Sequence, residues 1–281
     1  MLLTLREVKS KTEKFFSEKG VPNGKLDTDL LLSHALKIKR LDLYLDLDRP
    51  ISEKELNQMR DMVRRRAMRE PLQYILGETV FFNCSLRVDK RALIPRPETE
   101  FLVEQILPKA QGAERVLELG TGSGAIVLAL VKAGVSAEIT AIDLDPEALA
   151  LAQSNADSLG LSEQITFLES DWLSNVPAEK QFDLIISNPP YLKPAMYESA
   201  EPEVREFEPK QALLSAEAGM ADIKKIMQQS FSFLNPNGYL VFETGTDQHA
   251  KLSKEAEQIG YQEIRTTQDL NGYDRFLWMQ R

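Results

Sequence analysis

The sequence has little of what several classes of protein require. Its 281 residues include one cysteine, Cys84, which excludes an internal disulfide and a multi-cysteine zinc site. Of the two histidines, His34 is expected to be a packed or surface residue rather than a ligand, and His249 falls in a predicted surface helix. The longest purely apolar run, Ala125–Val131, is far shorter than the ~20 residues of a membrane span. The segment Met1–Glu7 lacks the apolar core of a signal peptide, so we expect a cytoplasmic protein with neither a metal nor a membrane partner.

The charge balance is acidic, with 43 acidic and 34 basic residues and a net charge of −9. Such a chain repels long nucleic acids unless a local basic patch intervenes, so direct binding to nucleic acid is not expected. The candidate patch is a run of arginines, which we interpret as a solvated helix face, with an acidic partner or RNA as the alternative. Its members are Arg60, Arg64, Arg65, Arg66 and Arg69.

Three segments follow from the periodicity of apolar residues. Residues 1–72 have helical spacing, with a capping box at Ser52 and Glu55, and predict a small helical domain that binds a partner. Residues 73–97 predict a hairpin linker around Asn83. Residues 98–281 alternate strands and helices, which predicts an α/β domain with a largely parallel sheet covered on both faces. The predicted strands are Arg115–Leu119, Ile139–Asp143, Ile165–Glu169, Phe182–Ser187, Tyr239–Glu243, Tyr261–Thr266 and Arg275–Met279, and the predicted helices are Ala125–Lys132, Pro146–Leu159, Met220–Phe233 and Gln248–Ile259.

A glycine-rich loop follows the first of these strands. Its glycines allow a tight turn and let a ligand approach the backbone closely. The next strand ends at Asp143, about 20 residues beyond the loop, where a carboxylate can accept the hydroxyls of a ribose. Alone, this pattern fits a nicotinamide cofactor as well as S-adenosylmethionine. The loop consists of Glu118, Leu119, Gly120, Thr121, Gly122, Ser123 and Gly124.

Three features favour S-adenosylmethionine. Glu118 suits a cationic, amine-bearing ligand better than a pyrophosphate. Asp171 and Trp172, just after the third strand, offer an acceptor for an adenine amino group and a ring for packing. The third feature is the segment Asn188-Pro189-Pro190-Tyr191, which follows the fourth strand. The two prolines have no N–H, so the strand must stop there, and the turn presents an amide, bare carbonyls and an aromatic ring to a planar NH2 group.

These motifs resemble the HemK/PrmC family of release factor glutamine N5-methyltransferases, within the class I S-adenosylmethionine-dependent methyltransferases. The resemblance covers nearly the whole chain and includes Ile94–Glu100, Glu118–Gly124, Asp171-Trp172, Asn188–Tyr191 and Glu208-Pro209. It implies a doubly wound, mostly parallel seven-stranded sheet. It also implies methylation of the glutamine of a Gly-Gly-Gln motif in peptide chain release factors, hence a role in translation termination. We expect a monomer.

In this interpretation each motif has a role. Asn188 and Pro189 accept the N–H groups of the substrate amide, Pro190 stiffens the turn and Tyr191 packs against the amide. Cofactor binding is assigned to the loop and to the acidic strand ends, with Asn188 beside them. The predicted cofactor-binding residues are Glu118, Gly120, Thr121, Gly122, Ser123, Gly124, Asp143, Asp171, Trp172 and Asn188.

Several alternatives remain open at this point. The same chemistry could act on a ribosomal-protein glutamine or on an adenine amino group, and the glycine loop alone also permits a nicotinamide-dependent oxidoreductase, for which Lys193 would be the candidate acid–base residue. A non-catalytic sensor of an adenosyl ligand would leave the turn unexplained. Arg96 either meets the carboxylate of the cofactor or is exposed to solvent. The acidic stretch Glu198–Glu208 is either an exposed loop or a lid that meets the partner.

Overall fold

A computed structural model describes residues 3–281, and in it the chain divides into two units. The first comprises Met1–Gly77 together with Glu201–Phe207, and the second comprises Glu78–Ala200 together with Glu208–Arg281. Within the described residues, no helix combines the length and the apolar character needed to cross a membrane.

The first unit is helical and has its own apolar core. Side chains such as Phe16, Leu31 and Met59 are fully buried where its helices pack together. The predicted capping box is confirmed, because the Glu55 backbone N–H donates to Ser52 Oγ and the Ser52 N–H donates to Glu55 Oε2 at 2.8 Å. The helices are α1 (Leu5–Glu18), α2 (Gly24–Leu36), α3 (Glu53–Ala67), α4 (Leu72–Leu76) and α9 (Pro202–Phe207), with a 3₁₀ turn over Arg40–Tyr44.

The arginine run, which lies on α3 and in the turn after it, is not simply a solvated face. Arg60 is exposed as predicted, but Arg66 is buried and donates to Asp27 Oδ2 at 2.7 Å and to Glu203 Oε1 at 2.8 Å. Arg69 donates to both oxygens of the Glu203 carboxylate. The prediction is therefore wrong for Arg66 and Arg69, because their partner is supplied by a segment more than a hundred residues further along the chain.

The second unit opens with a two-stranded antiparallel hairpin, β1 (Glu78–Phe81) and β2 (Cys84–Arg87). Phe82 and Asn83 at its tip both have positive φ, as a tight two-residue turn requires. The side chain of Cys84 is buried in the apolar core of this unit.

A seven-stranded sheet forms the centre of the second unit within the described residues. Its strand order is β5-β4-β3-β6-β7-β9-β8, in which the strands from β5 to β7 pair in parallel and β9 runs antiparallel to both of its neighbours, β7 and β8. The chain leaves β3 in one direction and returns on its other side at β6, so the order reverses between these two strands. The strands are β3 (Arg115–Leu119), β4 (Glu138–Asp143), β5 (Ile165–Glu169), β6 (Phe182–Ser187), β7 (Leu234–Glu243), β8 (Gln262–Gln268) and β9 (Asp274–Gln280).

Helices cover this sheet, and two apolar clusters occupy its two faces. The largely parallel, helix-covered α/β architecture is therefore confirmed. The predicted strand Tyr239–Glu243 is too short, because pairing extends back to Leu234 across an irregularity in the register with β6. The helices are α5 (Pro97–Gln111), α6 (Ala125–Lys132), α7 (Pro146–Leu159), α8 (Pro194–Glu198), α10 (Ala216–Gly219), α11 (Ala221–Phe233) and α12 (His249–Ile259).

Candidate active site

A cavity of about 260 Å³ lies at the carboxyl ends of the parallel strands, where the strand order reverses. This is the position at which open α/β sheets bind their ligands. Among the predicted site residues, Gly124, Pro189 and Tyr191 do not line the cavity, and the others do. Those that line it are Glu118, Gly120, Thr121, Gly122, Ser123, Asp143, Asp171, Trp172, Asn188 and Pro190.

The glycine loop connects β3 to α6 and takes its shape from three residues with positive φ, at Gly120, Gly122 and Gly124. The backbone N–H groups of Gly120 and Thr121 both donate to the Ile142 carbonyl at 2.9 Å, which ties the loop to β4. A Cβ on Gly124 would lie 3.1 Å from a side-chain carbon of the first turn of α6. Gly124 therefore shapes the loop from behind, and the cavity is lined by its neighbours.

Glu118, the last residue but one of β3, is almost completely buried. The Thr121 hydroxyl donates to its Oε2 at 2.6 Å. Burial raises the pKa of Glu118 to about 8, although that hydrogen bond and one from the Val127 backbone oppose the shift. A carboxyl group in this state is stabilised as an anion when a positive charge arrives beside it.

Asp143 ends β4 and lines the same cavity. Its two oxygens accept the backbone N–H groups of Gly122, at 2.8 Å, and Asp145, at 3.0 Å. Burial is the main cause that raises the pKa of Asp143 above its usual range. Because an ionised carboxylate offers about four acceptor positions, two remain for hydroxyl donors from a ligand.

Trp172 follows β5 with a positive φ, and its ring approaches the glycine loop at Gly120. It thereby supplies an aromatic wall to the cavity. Asp171 is half-exposed and forms an ion pair with Lys225 of α11 at 2.8 Å. The sequence interpretation did not include Lys225, which also lines the cavity.

The acceptor turn, Asn188–Tyr191, follows β6 directly. Asn188 and Pro190 line the cavity, whereas Pro189 is buried beneath it. The Tyr191 hydroxyl donates to Glu243 Oε1 at 3.0 Å, and the Tyr191 carbonyl accepts from Gln248 Nε2 at 3.0 Å. Tyr191 is therefore fixed at both ends, by residues near the end of β7 and the start of α12.

Behind the turn, Asn188 is joined to a third element. Its Nδ2 donates to Thr99 Oγ1 at 3.3 Å, and the Thr99 hydroxyl donates to Glu243 Oε2 at 2.7 Å. The sequence interpretation missed Thr99, Glu243 and Gln248 as parts of the site. The available signals were the position of Glu243 at the carboxyl end of β7 and the position of Thr99 in the first turn of α5.

One sequence interpretation needs correction here, and it concerns the acidic stretch before Pro209. The Arg96 side chain lines the cavity and donates to Glu208 Oε1 at 2.6 Å, and the Glu208 carboxylate also accepts the Ile94 N–H at 3.1 Å. Glu208 is buried, so the idea of a wholly exposed acidic loop is wrong for it and for the ion-paired Glu203.

The candidate acid–base residue Lys193 is engaged elsewhere, and the prediction for His249 is wrong. Lys193 forms an ion pair with Asp247. His249 is not on a surface, because it begins α12 with its ring buried between the hydroxyls of Thr244 and Thr266. In the part of the chain that the structure describes, no cluster of potential metal ligands is present.

Comparison with known proteins assigns the family. Residues 7–77 match the PrmC N-terminal domain, and residues 110–277 match a methyltransferase domain. A release factor glutamine methyltransferase from Geobacter sulfurreducens is 40% identical over 272 residues, which cover 97% of this chain and 95% of that protein. The chain belongs to the release factor glutamine methyltransferase family. A second member, from Rhodopirellula baltica, is 38% identical over 278 residues, which cover 96% of this chain and 94% of that protein.

Solved structures agree with this family at the level of the fold. A methyltransferase from Pyrococcus furiosus superposes with a TM-score of 0.54 at 19% identity, covering 71% of this chain and 89% of that one. The N-terminal domain of human METTL16 gives a TM-score of 0.52 at 18% identity, covering 70% and 76%. The predicted methyltransferase-like fold and the resemblance on which it was based are both confirmed.

Proposed function

We propose that this protein methylates the side-chain amide nitrogen (N5) of the glutamine in the Gly-Gly-Gln motif of peptide chain release factors, with S-adenosylmethionine as methyl donor. The observation that carries the proposal is the cavity itself. The glycine loop and the acceptor turn, which are more than sixty residues apart in the sequence, line the same 260 Å³ space. A methyltransferase needs its donor and its acceptor in one such space.

The residues of the loop side fit S-adenosylmethionine. S-adenosylmethionine supplies a methyl group carried on a positively charged sulfur, and it also has an amine, an adenine ring and two ribose hydroxyls. Glu118 supplies a buried acid to the amine, Asp143 has acceptor positions left for the hydroxyls, and the Trp172 ring supplies a flat apolar wall. The Asp171 carboxylate remains the proposed partner of the adenine amino group, a role that it would share with its ion pair to Lys225.

The acceptor turn positions the substrate carboxamide relative to the methyl donor. A carboxamide nitrogen is a poor nucleophile, because its lone pair is delocalised into the carbonyl group. Asn188 Oδ1 and the Pro189 carbonyl each accept one N–H of the substrate amide, which orients the nitrogen toward the methyl donor. Tyr191 and Pro190 hold the turn rigid. Orientation of this kind can lower a barrier by roughly 7–11 kcal/mol.

No strong general base is required for this reaction. Once the nitrogen has gained a methyl group, its remaining protons are very acidic, and one is lost to water. This agrees with the side chains that line the cavity, which include carboxylates but no histidine.

The domains then divide the work as the sequence interpretation proposed. Residues 1–72 recognise the release factor, residues 73–97 form the linker between the two domains, and residues 98–281 catalyse the methyl transfer. We further propose that the protein acts as a monomer in the cytoplasm and without direct contact to nucleic acid, in keeping with its net charge of −9.

The direct test uses S-adenosylmethionine with an isotopically labelled methyl group. Purified release factor, bulk RNA, DNA and ribosomal proteins are offered in parallel, and the labelled protein is digested for mass spectrometry. We expect one added methyl on the Gly-Gly-Gln peptide and none on a release factor in which that glutamine is replaced. Label confined to an adenine or to a ribosomal-protein glutamine would overturn the proposal, and oxidation of NADH would support the oxidoreductase instead.

A further inference from the structure

Glu243 is a buried acid to which the proposed methyl transfer gives no role. It ends β7 with 2% of its surface exposed. Its two oxygens accept from two different hydroxyls, Thr99 Oγ1 at 2.7 Å and Tyr191 Oη at 3.0 Å. Burial raises the pKa of Glu243, while these two hydrogen bonds and the charge of Arg275 oppose the shift. A buried carboxylate is costly to keep, so the hydrogen bonds to both of its oxygens call for an explanation.

The chemistry of the donors gives a direction to the whole chain of contacts. The two hydroxyl donors and the positive charge of Arg275 favour the ionised form of Glu243. An ionised carboxylate can only accept hydrogen bonds, and a threonine hydroxyl has one hydrogen to give. Because Thr99 spends that hydrogen on Glu243, its oxygen can only accept from the next partner. That partner is Asn188, whose amide must therefore turn its NH2 group toward Thr99, as the 3.3 Å contact from Nδ2 has it.

From this order of hydrogen-bond donors and acceptors we infer that Glu243 is a positioning residue. It acts through Thr99 to keep the Asn188 side chain turned so that its oxygen faces the NH2 group of the substrate amide. The site then presents acceptors to a substrate NH2 group and excludes groups that offer a lone pair at the same place. An asparagine amide alone cannot make this distinction, because its oxygen and nitrogen have nearly the same shape. The second oxygen of Glu243 holds the Tyr191 ring of the same turn.

This inference rests on the proposed function, since it concerns how the acceptor amide is selected. It differs from a general structural role in its chemical detail. A residue that merely fills space would be replaced without loss by a group of the same shape. Glu243 and Thr99 are needed because they fix which way the hydrogens of the Thr99 hydroxyl and the Asn188 amide point. An isosteric substitution keeps the volume of the side chain but no longer fixes that direction.

The experiment uses the full-length protein with a release factor and labelled S-adenosylmethionine. Glu243→Gln gives position 243 hydrogens to donate, and Thr99→Val removes the link to Asn188. We expect each to lower kcat roughly 10- to 100-fold, the range for a hydrogen bond to a charged group, with the affinity for S-adenosylmethionine unchanged. Thr99→Ser, which restores the hydroxyl, should recover the turnover lost in Thr99→Val.

A matched control is available in the same sheet. Thr140 is buried on β4, and its Oγ1 is among the side-chain atoms that have no hydrogen-bond partner within the described residues. Thr140→Val therefore tests the exchange of a buried hydroxyl for a methyl group without breaking a contact, and it should leave kcat and the melting temperature unchanged. The double variant Thr99→Val with Glu243→Gln should lose no more turnover than the worse single variant, because both break one chain of contacts.

The possible outcomes separate this inference from the proposed function. If the unaltered protein fails to label the release factor, the proposed function is wrong. If the unaltered protein labels the release factor and both single variants have the same kcat as the unaltered protein, only the positioning role is wrong. Fully additive losses in the double variant, or no recovery in Thr99→Ser, would also overturn that role.

Discussion

The two sides of the cavity are built in different ways. The cofactor side is centred on one continuous stretch, Glu118–Gly124, whose backbone is shaped by glycines and tied to the neighbouring strand. Asp143, Asp171 and Trp172 join it from the ends of the next two strands, and each belongs to a short motif of its own. The acceptor side is a four-residue turn, Asn188–Tyr191, held by side chains that lie 52 to 89 residues away in the sequence: Thr99, Glu243 and Gln248. The first side is therefore a property of local sequence, and the second is a property of the folded sheet.

The difference has a chemical reason. S-adenosylmethionine is a large ligand with many groups, so several contacts of moderate accuracy can bind it. The acceptor amide offers two hydrogens and must present one lone pair in line with the methyl group, so a small error in the turn is costly. We therefore expect substitutions on the acceptor side to change kcat, and substitutions on the cofactor side to change the affinity for S-adenosylmethionine.

The largest effect is expected for Asn188→Ala. It removes the proposed acceptor of one substrate N–H, and we expect kcat to fall roughly 10²- to 10³-fold, as for the loss of one group that stabilises a transition state. The measurement is steady-state methylation of a release factor, with calorimetry for the affinity of S-adenosylmethionine. Gln258→Ala, which removes an exposed amide from α12 of the second unit, is the control. Unchanged turnover in Asn188→Ala would show that the acceptor is held elsewhere.

An intermediate effect is expected for Gly219→Ala, because Gly219 lies against the turn from outside the cavity. A Cβ at this position would be 2.1 Å from the Tyr191 carbonyl oxygen and 2.7 Å from Gln248 Nε2. The added methyl must displace the turn, and we expect kcat to fall roughly 10- to 100-fold with little change in the affinity for S-adenosylmethionine.

Gly134→Ala is the matched control for this substitution. Both glycines have a positive φ, +83° at Gly219 and +88° at Gly134, so both variants pay the left-handed strain of about 1–2 kcal/mol. At Gly134, however, nothing lies within 4 Å of the new Cβ. Equal losses of turnover in the two variants would mean that the effect is global destabilisation and that the position of the Tyr191 carbonyl is unimportant.

The contrast between the two sides also explains what could be predicted from the sequence. The bounds of Phe182–Ser187 were predicted residue for residue, because an apolar run ended by two prolines leaves little choice. The loop residues were predicted from glycine spacing and line the cavity with the exceptions of Leu119 and Gly124. The link from Glu243 through Thr99 to Asn188 could not be predicted, because nothing local in Glu243-Thr244-Gly245 indicates which side chains it meets.

The first unit repeats this lesson. Arginines at helical spacing are typical of a solvated face, and Arg60 conforms to that pattern. Arg66 departs from it because Asp27 and Glu203 approach from distant parts of the chain, and a buried guanidinium is tolerated when it is fully paired. A pattern on one element predicts the face that it buries, but the partner of a charged group depends on elements that the pattern does not contain.

The smallest effect belongs to the cofactor side and concerns pH. Burial raises the pKa of Glu118 to about 8, and Asp143 adds to the shift through its negative charge. If the amine of S-adenosylmethionine is held by the anionic form, binding must release the proton of Glu118, and the affinity falls as the pH drops below 8. The ionised fraction of Glu118 predicts a loss of affinity of about fivefold between pH 8 and pH 7.

Calorimetry in two buffers of different ionisation enthalpy measures the released proton directly. Glu118→Gln should remove the pH dependence and bind with one weak affinity throughout, whereas kcat at saturating S-adenosylmethionine should change little. A pH dependence that persists in Glu118→Gln would assign the proton to another group, with Asp143 the first to test, and a large loss of kcat would mean that the two sides of the cavity are not separable in the way their construction indicates.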